Sequence, residues 1–394
     1  MSFIEETKKL LRENIRDYGM FIALFFIVVF FTIATDGLFL SPRNIVNLVN
    51  QTGYIAALAI GMTLVIVIRH IDLSVGFLAG FLGAIAAIAM VQYNLPVIVV
   101  IPFVLFLGIL AGRLTSFMVA DLGIPAFVAT LAGWLGYRGA LQLVTRSTGT
   151  IVIPNDTFNA IGNGFIPEIP VTGIMPETHK LTLIIGLLAI VFYTSSEIIN
   201  RNRMKKQDAE IQSTGTFIIK LVAISAFIGA IAWILAGYRG LSWTAVVVLV
   251  VVILYHFMTT KTILGRHIYA VGGNPEAAEL SGISVKRITH VVFGSMGMLS
   301  ALAGILFASR LQSATTTAGT LFELDAIAAA FVGGVSAAGG VGTVIGSLIG
   351  ALVMTSLTNG MNLMGIDISY QYIVRAIVLA AAVIFDVTTR RNVK

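Results

Sequence analysis

The sequence predicts an all-α protein: a polytopic bundle of about 10–12 transmembrane helices that forms a single membrane domain over residues 1–394. Hydrophobic residues make up 57% of the chain and charged residues only 11%, whereas a soluble domain has about 25% charged residues. The mean hydropathy is correspondingly high, at +0.94. The apolar residues also fall in runs of about 20, the length that a helix needs to cross a bilayer.

Twelve apolar segments are candidate spans when the chain is read with a window of about 20 residues. The first contains FIALFFIVVFFTIAT and lacks the small-residue cleavage site of a secretory signal, so it is kept as a span. Ten spans with two re-entrant segments is the alternative arrangement, because several connections are short. The candidate spans are 19–35, 53–69, 74–92, 96–117, 124–143, 181–199, 218–237, 241–258, 289–309, 323–338, 341–358 and 370–386.

Basic residues are concentrated in the N-terminal segment, in the loops 200–217 and 259–288, and in the C-terminal tail. All four segments fall on one side of the membrane if the spans alternate. Cytoplasmic loops are enriched in Lys and Arg, so both termini are predicted to be cytoplasmic. These loops also explain the net charge of +6, and no basic cluster interleaved with aromatic residues indicates a nucleic-acid partner.

The sequence contains no recognisable motif of a catalytic or metal-binding site. It contains no cysteine, which excludes disulfides and thiolate metal sites, and it has no Walker, HExxH or nucleophile-elbow motif. The chain is therefore predicted not to be an enzyme and to bind no metal, and any energy for its work has to come from a partner.

Two loops on the outer and inner sides stand out. The outer loop 145–180 is rich in Pro, Gly and Asn, so no helix of any length is expected there; it is either a docking surface or lid, or a passive connector. The inner loop 200–217 is interpreted as a topology anchor.

The inner loop 259–288 contains the motif GGNPEAAELSGI. Asn274 and Pro275 are predicted to open a helix with Glu276 in its first turn, and Gly282 to end it after about two turns. So short a helix is not stable alone, and it is either a docking element for a soluble partner or a linker on the bilayer surface. The candidate docking residues are Asn274, Pro275, Glu276, Ala277, Ala278 and Gly282.

The segment 321–354 is rich in glycine. Gly342, Gly346 and Gly350 form a GxxxGxxxG stripe, which predicts close packing between helices. Glu323 and Asp325 lie at the predicted outer start of a span, where they either cap the helix or line a pathway.

Arg69, His70 and Asp72 lie together in RHIDLSVG, between two apolar runs. Asp72 precedes the helix that begins near Ser74, so it is expected to cap free N–H groups and to pair with Arg69 or His70. A gate or pathway role is the alternative, because ionisable groups at membrane depth are costly and often functional.

Four motifs occur in family order: IDLSVG, IPAFVATLAGWLGYRG, GGNPEAAELSGI and FVGGVSAAGGVGTVIGSLIGA. Over about residues 43–386 the chain resembles the permease subunit of monosaccharide-importing ABC transporters, the ribose, xylose and multiple-sugar branch. The extra length near 190–240, together with His70, is similar to the multiple-sugar and xylose permeases.

The resemblance implies the protein's partners and site. Two copies of the permease form the pathway for a sugar of the xylose, arabinose, galactose or glucose type, and an extracytoplasmic sugar-binding protein delivers it. A tandem-domain ATPase, which holds the ATP and Mg, docks on the helix at 274–282, so no cofactor is expected on this chain. The location implied is the bacterial inner membrane, in contact with lipid. Asn47, Asn50 and Gln51, on the outer side, are the candidates for a hydrophilic sugar passage.

Two other functions stay open at this point. A proton-coupled secondary transporter would use Arg69, His70 and Asp72 as a relay. An intramembrane hydrolase would use His290 and Ser295, although side chains five residues apart do not face each other well on a helix.

Overall fold

Helices make up most of the structure, a computed structural model that describes residues 15–169, 178–206 and 214–391. The predicted all-α class is confirmed. Residues 1–14, part of the inner loop 200–217 and the end of the tail lie outside the described residues. The helices are α1 (Ile15–Ala34), α2 (Pro42–Val67), α3 (Val75–Val91), α4 (Val97–Ser116), α5 (Ala126–Thr145), α6 (Asp156–Asn163), α7 (Lys180–Lys206), α8 (Thr214–Ala236), α9 (Trp243–Lys261), α10 (Ile263–Gly273), α11 (Pro275–Leu280), α12 (Val285–Leu311), α13 (Phe322–Val332), α14 (Val344–Leu363) and α15 (Ile368–Arg391).

Within the described residues, eight helices are long and apolar enough to cross a membrane: α2, α4 with its π-helical extension to Asp121, α7, α8, α9, α12, α14 and α15. Two shorter apolar helices are Gly19–Ala34 of α1 and Val75–Val91. Helices occupy all twelve predicted positions, but α13, at the predicted span 323–338, has only 11 residues. Its length of about 16 Å is half the thickness of the bilayer core. The prediction of a full span at 323–338 is therefore wrong.

Helices α2 and α12 lie at the centre of the bundle. In the most apolar 18-residue stretch of each helix, 83% is buried in α2 and 72% in α12. The same share is only 11% in α7 and 11% in α8. Small residues allow the central contacts: a Cβ on Gly304 of α12 would meet the backbone of Ala79 and Gly83 in α3. Gly297 of α12 lies equally close to Gly108 of α4.

Helix α2 begins earlier than predicted, at Pro42 rather than near residue 53, and Pro42 stands in its first turn. Proline is favoured there because the first N–H groups of a helix have no intrahelical partner. The additional turns bring Asn44, Asn47, Asn50 and Gln51 into the helix.

The glycine stripe is divided between a loop and a helix. Gly346 and Gly350 lie in α14. A Cβ on Gly346 would meet the backbone of Gly333, directly after α13, and a Cβ on Gly350 would meet the backbone of Ala329 in α13. Gly342 precedes α14, and its Cβ position faces side chains, among them Val335.

The outer loop is more regular than the sequence predicts. Strand β1 (Thr150–Val152) pairs antiparallel with β2 (Ser313–Thr315), and helix α6 follows β1. The expectation that this loop lacks a helix is wrong, because the side chain of Asn155 accepts a hydrogen bond from Phe158 N at 2.9 Å and caps two turns. Asn163 Nδ2 then donates to Ser309 O at 2.8 Å, which holds α6 on the end of α12. Residues 170–177 of the loop lie outside the described residues.

Candidate functional site

A polar cavity of about 740 Å³ opens at the N-terminal end of α2, beside the end of α12. Positive and amide side chains dominate its polar lining. They include Arg43, Asn44, Asn47, Asn50, Asn163 and Arg310. The structure thus brings two predicted pathway residues, Asn47 and Asn50, into one cavity.

The amide groups of the cavity are held in different ways. Arg310 Nη2 donates to Asn47 Oδ1 at 2.7 Å. Asn44 and Asn359 exchange two amide hydrogen bonds of 2.9 and 3.1 Å, which tie α2 to α14. Asn50 Oδ1 is buried and accepts no hydrogen bond from the described residues, so this acceptor is available to a polar solute. The buried Gln51 Oε1 likewise accepts none there, but Gln51 does not line the cavity.

Aromatic rings complete the cavity. Phe165 and Tyr238 both line it, with their ring centroids 6.4 Å apart in an edge-to-face arrangement. The guanidinium of Arg239 lies 5.2 Å from the centroid of the Phe165 ring. A few amide groups set between aromatic surfaces are typical of a binding site for a small polar molecule.

The turn between α2 and α3 does not contain the expected ion pair. Asp72 Oδ1 accepts hydrogen bonds from Ser74 N at 2.9 Å and from Ser74 Oγ at 2.6 Å. Arg69 turns away and donates from Nε to Gly272 O at 2.8 Å, and the His70 ring lies 5.8 Å from the Phe293 ring. The predicted pairing of Asp72 with Arg69 or His70 is therefore wrong.

The predicted capping role of Asp72 is supported at one N–H group. Ser74 directly precedes α3, and its backbone N–H donates to the Asp72 carboxylate. Burial raises the pKa of Asp72 to about 6, and the two hydrogen bonds from Ser74 oppose that rise.

Glu323 and Asp325 lie in the first turn of α13 but do not cap it. Leu321 is the residue at the cap position, without a side-chain hydrogen bond. Glu323 Oε1 accepts from Trp134 Nε1 at 3.0 Å, and Asp325 Oδ1 lies 3.0 Å from Arg375 Nη1. These two carboxylates therefore tie α13 to α5 and α15, which corrects the capping interpretation.

The short helix predicted in the inner loop is present as α11. Asn274 Oδ1 accepts from Ala277 N at 3.0 Å and caps the helix. Gly282 follows it with φ of 83°, a left-handed conformation that favours glycine. Glu276 is exposed, and Leu280 is 91% exposed. Both side chains are therefore accessible to a soluble partner.

The residues of the hydrolase hypothesis do not meet. Ser295 Oγ hydrogen-bonds Tyr255 Oη at 2.6 Å. His290 lies between Ser116 Oγ, 2.7 Å from its Nδ1, and Asp121 Oδ2, 2.9 Å from its Nε2. Ser116 is fully buried, so this Ser-His-Asp arrangement offers no accessible nucleophile and ties α12 to the end of α4.

The sequence interpretation missed Arg310 and Arg375, and it named Arg69 without its actual partner. Arg310 bonds Asn47 in the cavity, Arg375 pairs with Asp325, and Arg69 binds the segment before α11. The sequence does contain a signal for Arg310 and Arg375, because a charged residue within an apolar span needs a partner. The partner of Arg69 lies 203 residues away in the chain, and no local pattern identifies it.

Comparison with known proteins gives a consistent result over most of the chain. Residues 44–383 match the family described as branched-chain amino acid transport system / permease component. The chain is 39% identical over 385 residues to the xylose transport system permease protein XylH of Haemophilus influenzae, covering 98% of this chain and 99% of that protein. It is 41% identical over 383 residues to XylH of Escherichia coli K12, with 96% and 93% covered. The ribose import permease protein RbsC of Haemophilus influenzae is 37% identical over 369 residues, with 93% and 91% covered. No solved structure matches the chain.

Proposed function

Since the chain belongs to the family of sugar ABC importer permeases, we propose that two copies of it form a monosaccharide pathway and that a separate ATPase drives transport. The relatives are transport permeases, which confirms the family expected from the motifs and the prediction that the chain is not an enzyme. The protein is a multi-pass membrane protein. The proposed location is the bacterial inner membrane with both termini in the cytoplasm, and the proposed ATP and Mg sites lie on the ATPase.

The observation that supports this proposal most directly is the exposed surface of helix α11. A capped two-turn helix presents Glu276 and an apolar side chain, Leu280, on the predicted cytoplasmic side. So short a helix gains its stability from what it packs against. An ATPase subunit that covers Leu280 would supply that contact.

The proposed substrate is a monosaccharide of the xylose, arabinose, galactose or glucose type. Xylose is the first to test, because the relatives at 39% and 41% identity carry that name. We expect the chain, purified with its ATPase and sugar-binding protein and reconstituted in vesicles, to move labelled xylose only when ATP is supplied on the ATPase side. A protonophore should leave the rate unchanged. Uptake by the chain alone, driven by a proton gradient, would contradict the proposal and favour the secondary transporter.

Charge reversal tests the docking role of α11. We expect Glu276→Lys to reduce the ATPase that co-purifies with the chain at least about tenfold, because the substitution reverses a charge on the contact surface. Asp156→Lys is the matched control, since Asp156 is exposed in the first turn of α6, a short helix on the predicted opposite face. Equal ATPase recovery with Glu276→Lys, Asp156→Lys and the unmodified chain would refute docking at α11.

The cavity beside Asn50 is the proposed outer entrance of the pathway. Its amide groups suit sugar hydroxyls, which both donate and accept hydrogen bonds, and weak multiple contacts allow release as well as entry. We expect Asn50→Leu to lower xylose uptake about tenfold, while Asn202→Leu, on the exposed surface of α7, leaves it unchanged. Unchanged uptake in Asn50→Leu would remove this cavity from the pathway. Asp72, Ser74, Glu323 and Asp325 then remain the alternative pathway residues.

A further inference from the structure

Three backbone segments meet immediately before the docking helix α11. They are the end of α2, the end of α10 and the turn between α13 and α14. Arg69 Nε donates to Gly272 O at 2.8 Å, and Arg69 Nη2 donates to Gly273 O. Gly340 N donates to Val67 O at 2.9 Å. One arginine therefore binds the last two carbonyls of α10, where the helix dipole also favours a positive charge.

The junction has no free space between its backbones. A Cβ on Gly272 would meet Val67 O, and it would lie 2.8 Å from Gly340 N. A Cβ on Gly339 would meet the side chain of Arg69 and would lie 2.7 Å from Gly272 O. Because packed backbones of this kind cannot slide past one another without displacing a neighbour, a shift of the end of α10 has to move the other two segments.

A second hydrogen bond joins α10 to the same turn, as Tyr269 Oη donates to Gly342 O at 2.6 Å. Arg69 itself has φ of 67°, a left-handed conformation that is unfavourable for a residue with a Cβ. The surrounding contacts hold it there, which is the pattern expected where a side chain must point in one direction.

Helix α2 extends from this junction to the outer cavity. Its 26 residues span about 39 Å, and Asn47 and Asn50 lie near its other end. Three side-chain contacts fix α2 to α14 along this length: Thr63 with Ser347, Thr52 with Thr355 at 2.7 Å, and Asn44 with Asn359.

We propose that Arg69 is the positioning residue that transmits a displacement of α11 to the pair α2 and α14, and through α2 to the outer cavity. This inference rests on the proposed function, in which an ATPase moves α11. Arg69 then acts as a mechanical link between two parts of the permease, and no proton relay is needed.

The first test measures the link without any ATPase. The chain has no native cysteine, so nitroxides can be placed by Glu279→Cys on α11 and Leu122→Cys between α4 and α5, both exposed positions. With Arg69 present, we expect pulsed electron resonance on the full chain in nanodiscs to give a narrow distance distribution. Arg69→Ala should at least double its width, because α11 is no longer held to α2.

Two control variants test whether the guanidinium of Arg69 itself holds α11, rather than the left-handed backbone of Arg69 or the presence of any nearby arginine. Arg69→Gly relieves the left-handed backbone but also removes the guanidinium, so we expect it to broaden the distribution as much as Arg69→Ala. Arg266→Ala removes an exposed arginine of α10 and should leave the width unchanged. A narrow distribution in both Arg69 variants, or broadening in Arg69→Ala alone, would overturn the proposal.

The second test uses the reconstituted importer with xylose. We expect Arg69→Ala to retain the ATPase but to raise the ATP hydrolysed per xylose moved at least about tenfold, with Arg69→Lys in between because it lacks the planar fork. Unchanged coupling, or loss of the bound ATPase, would overturn transmission by Arg69. If the unmodified chain binds no ATPase, the proposed function fails instead, and the resonance result still decides whether Arg69 holds α11.

Discussion

Asp72 is a buried carboxylate whose hydrogen bonds come from one neighbour, Ser74, in its own turn. Desolvation raises its pKa to about 6, so the folded protein binds more protons than the unfolded chain between about pH 4 and pH 6. Stability therefore falls as the pH rises through this interval, and the loss is complete above it. The ionised side chain is a cost that the fold carries at neutral pH.

Asp72→Asn should remove that cost, because an amide can still accept the hydrogen bond from Ser74 N. At about pH 7.5 we expect the variant to be more stable by up to about 3 kcal/mol, with xylose uptake retained, and at about pH 4 to equal the unmodified chain. Melting of the purified protein in detergent at both pH values measures this. A variant less stable at about pH 7.5 would show that the ionised form makes contacts the amide cannot replace.

At the scale of elements, helices α13 and α14 pack with their backbones almost in contact. Gly350 permits this approach, since a Cβ there would meet Ala329 O and would lie 2.9 Å from Gly333 N. On another side of α13, Asp325 Oδ1 lies 3.0 Å from Arg375 Nη1 of α15. The short helix α13 is thus held by its neighbours on two sides.

Gly350→Val should push α13 away from α14 and destabilise the protein by about 3 kcal/mol or more, in the range of overpacked cores. Gly136→Val is the matched control, because a Cβ at Gly136 of α5 meets no atom within 4 Å. The fraction of monodisperse protein after heating in detergent reports the difference. Comparable losses in both variants would mean that valine in a span, rather than the contact at Gly350, causes the effect.

The sequence predicted the position of almost every helix, because apolar runs and helix-ending residues are local signals. It also predicted α11 from Asn274, Pro275 and Gly282. It did not predict the length of α13 or the partners of Arg69 and Asp325, since these depend on residues far away in the chain. The partner of Asp72 is Ser74, only two residues away, where Arg69 or His70 was expected. Asn47 and Asn50 were selected as polar residues near an outer end, but their place in one cavity with Arg310 required the fold.

At the scale of the whole molecule, the cavity and α11 lie at opposite ends of the central helices. Helix α2 has Asn47 near one end and the junction with α10 at the other. If the basic loops are cytoplasmic, the cavity faces outward and α11 faces the cytoplasm. This orientation is a prediction that the proposed function depends on.

Single introduced cysteines test the orientation of the protein in the membrane. The chain has no cysteine of its own, so no native residue contributes background labelling. We expect a membrane-impermeant maleimide to label Asp156→Cys in intact cells, and to label Glu279→Cys only after the membrane is opened. Both positions are exposed, so labelling after opening serves as the control for reactivity. The reverse pattern would invert the topology and place α11 out of reach of a cytoplasmic ATPase.

The shortness of α13 has a consequence for biogenesis. A segment of 11 residues is too short to enter a bilayer stably as an independent helix during synthesis. Its contacts with α2 and α5 are made with helices synthesised earlier, while α14 and α15 follow it. The part of the chain from α13 onward therefore assembles on a preformed N-terminal part, and a ribosome-bound chain that ends at α13 should expose that segment to quality-control proteases until α14 and α15 are made.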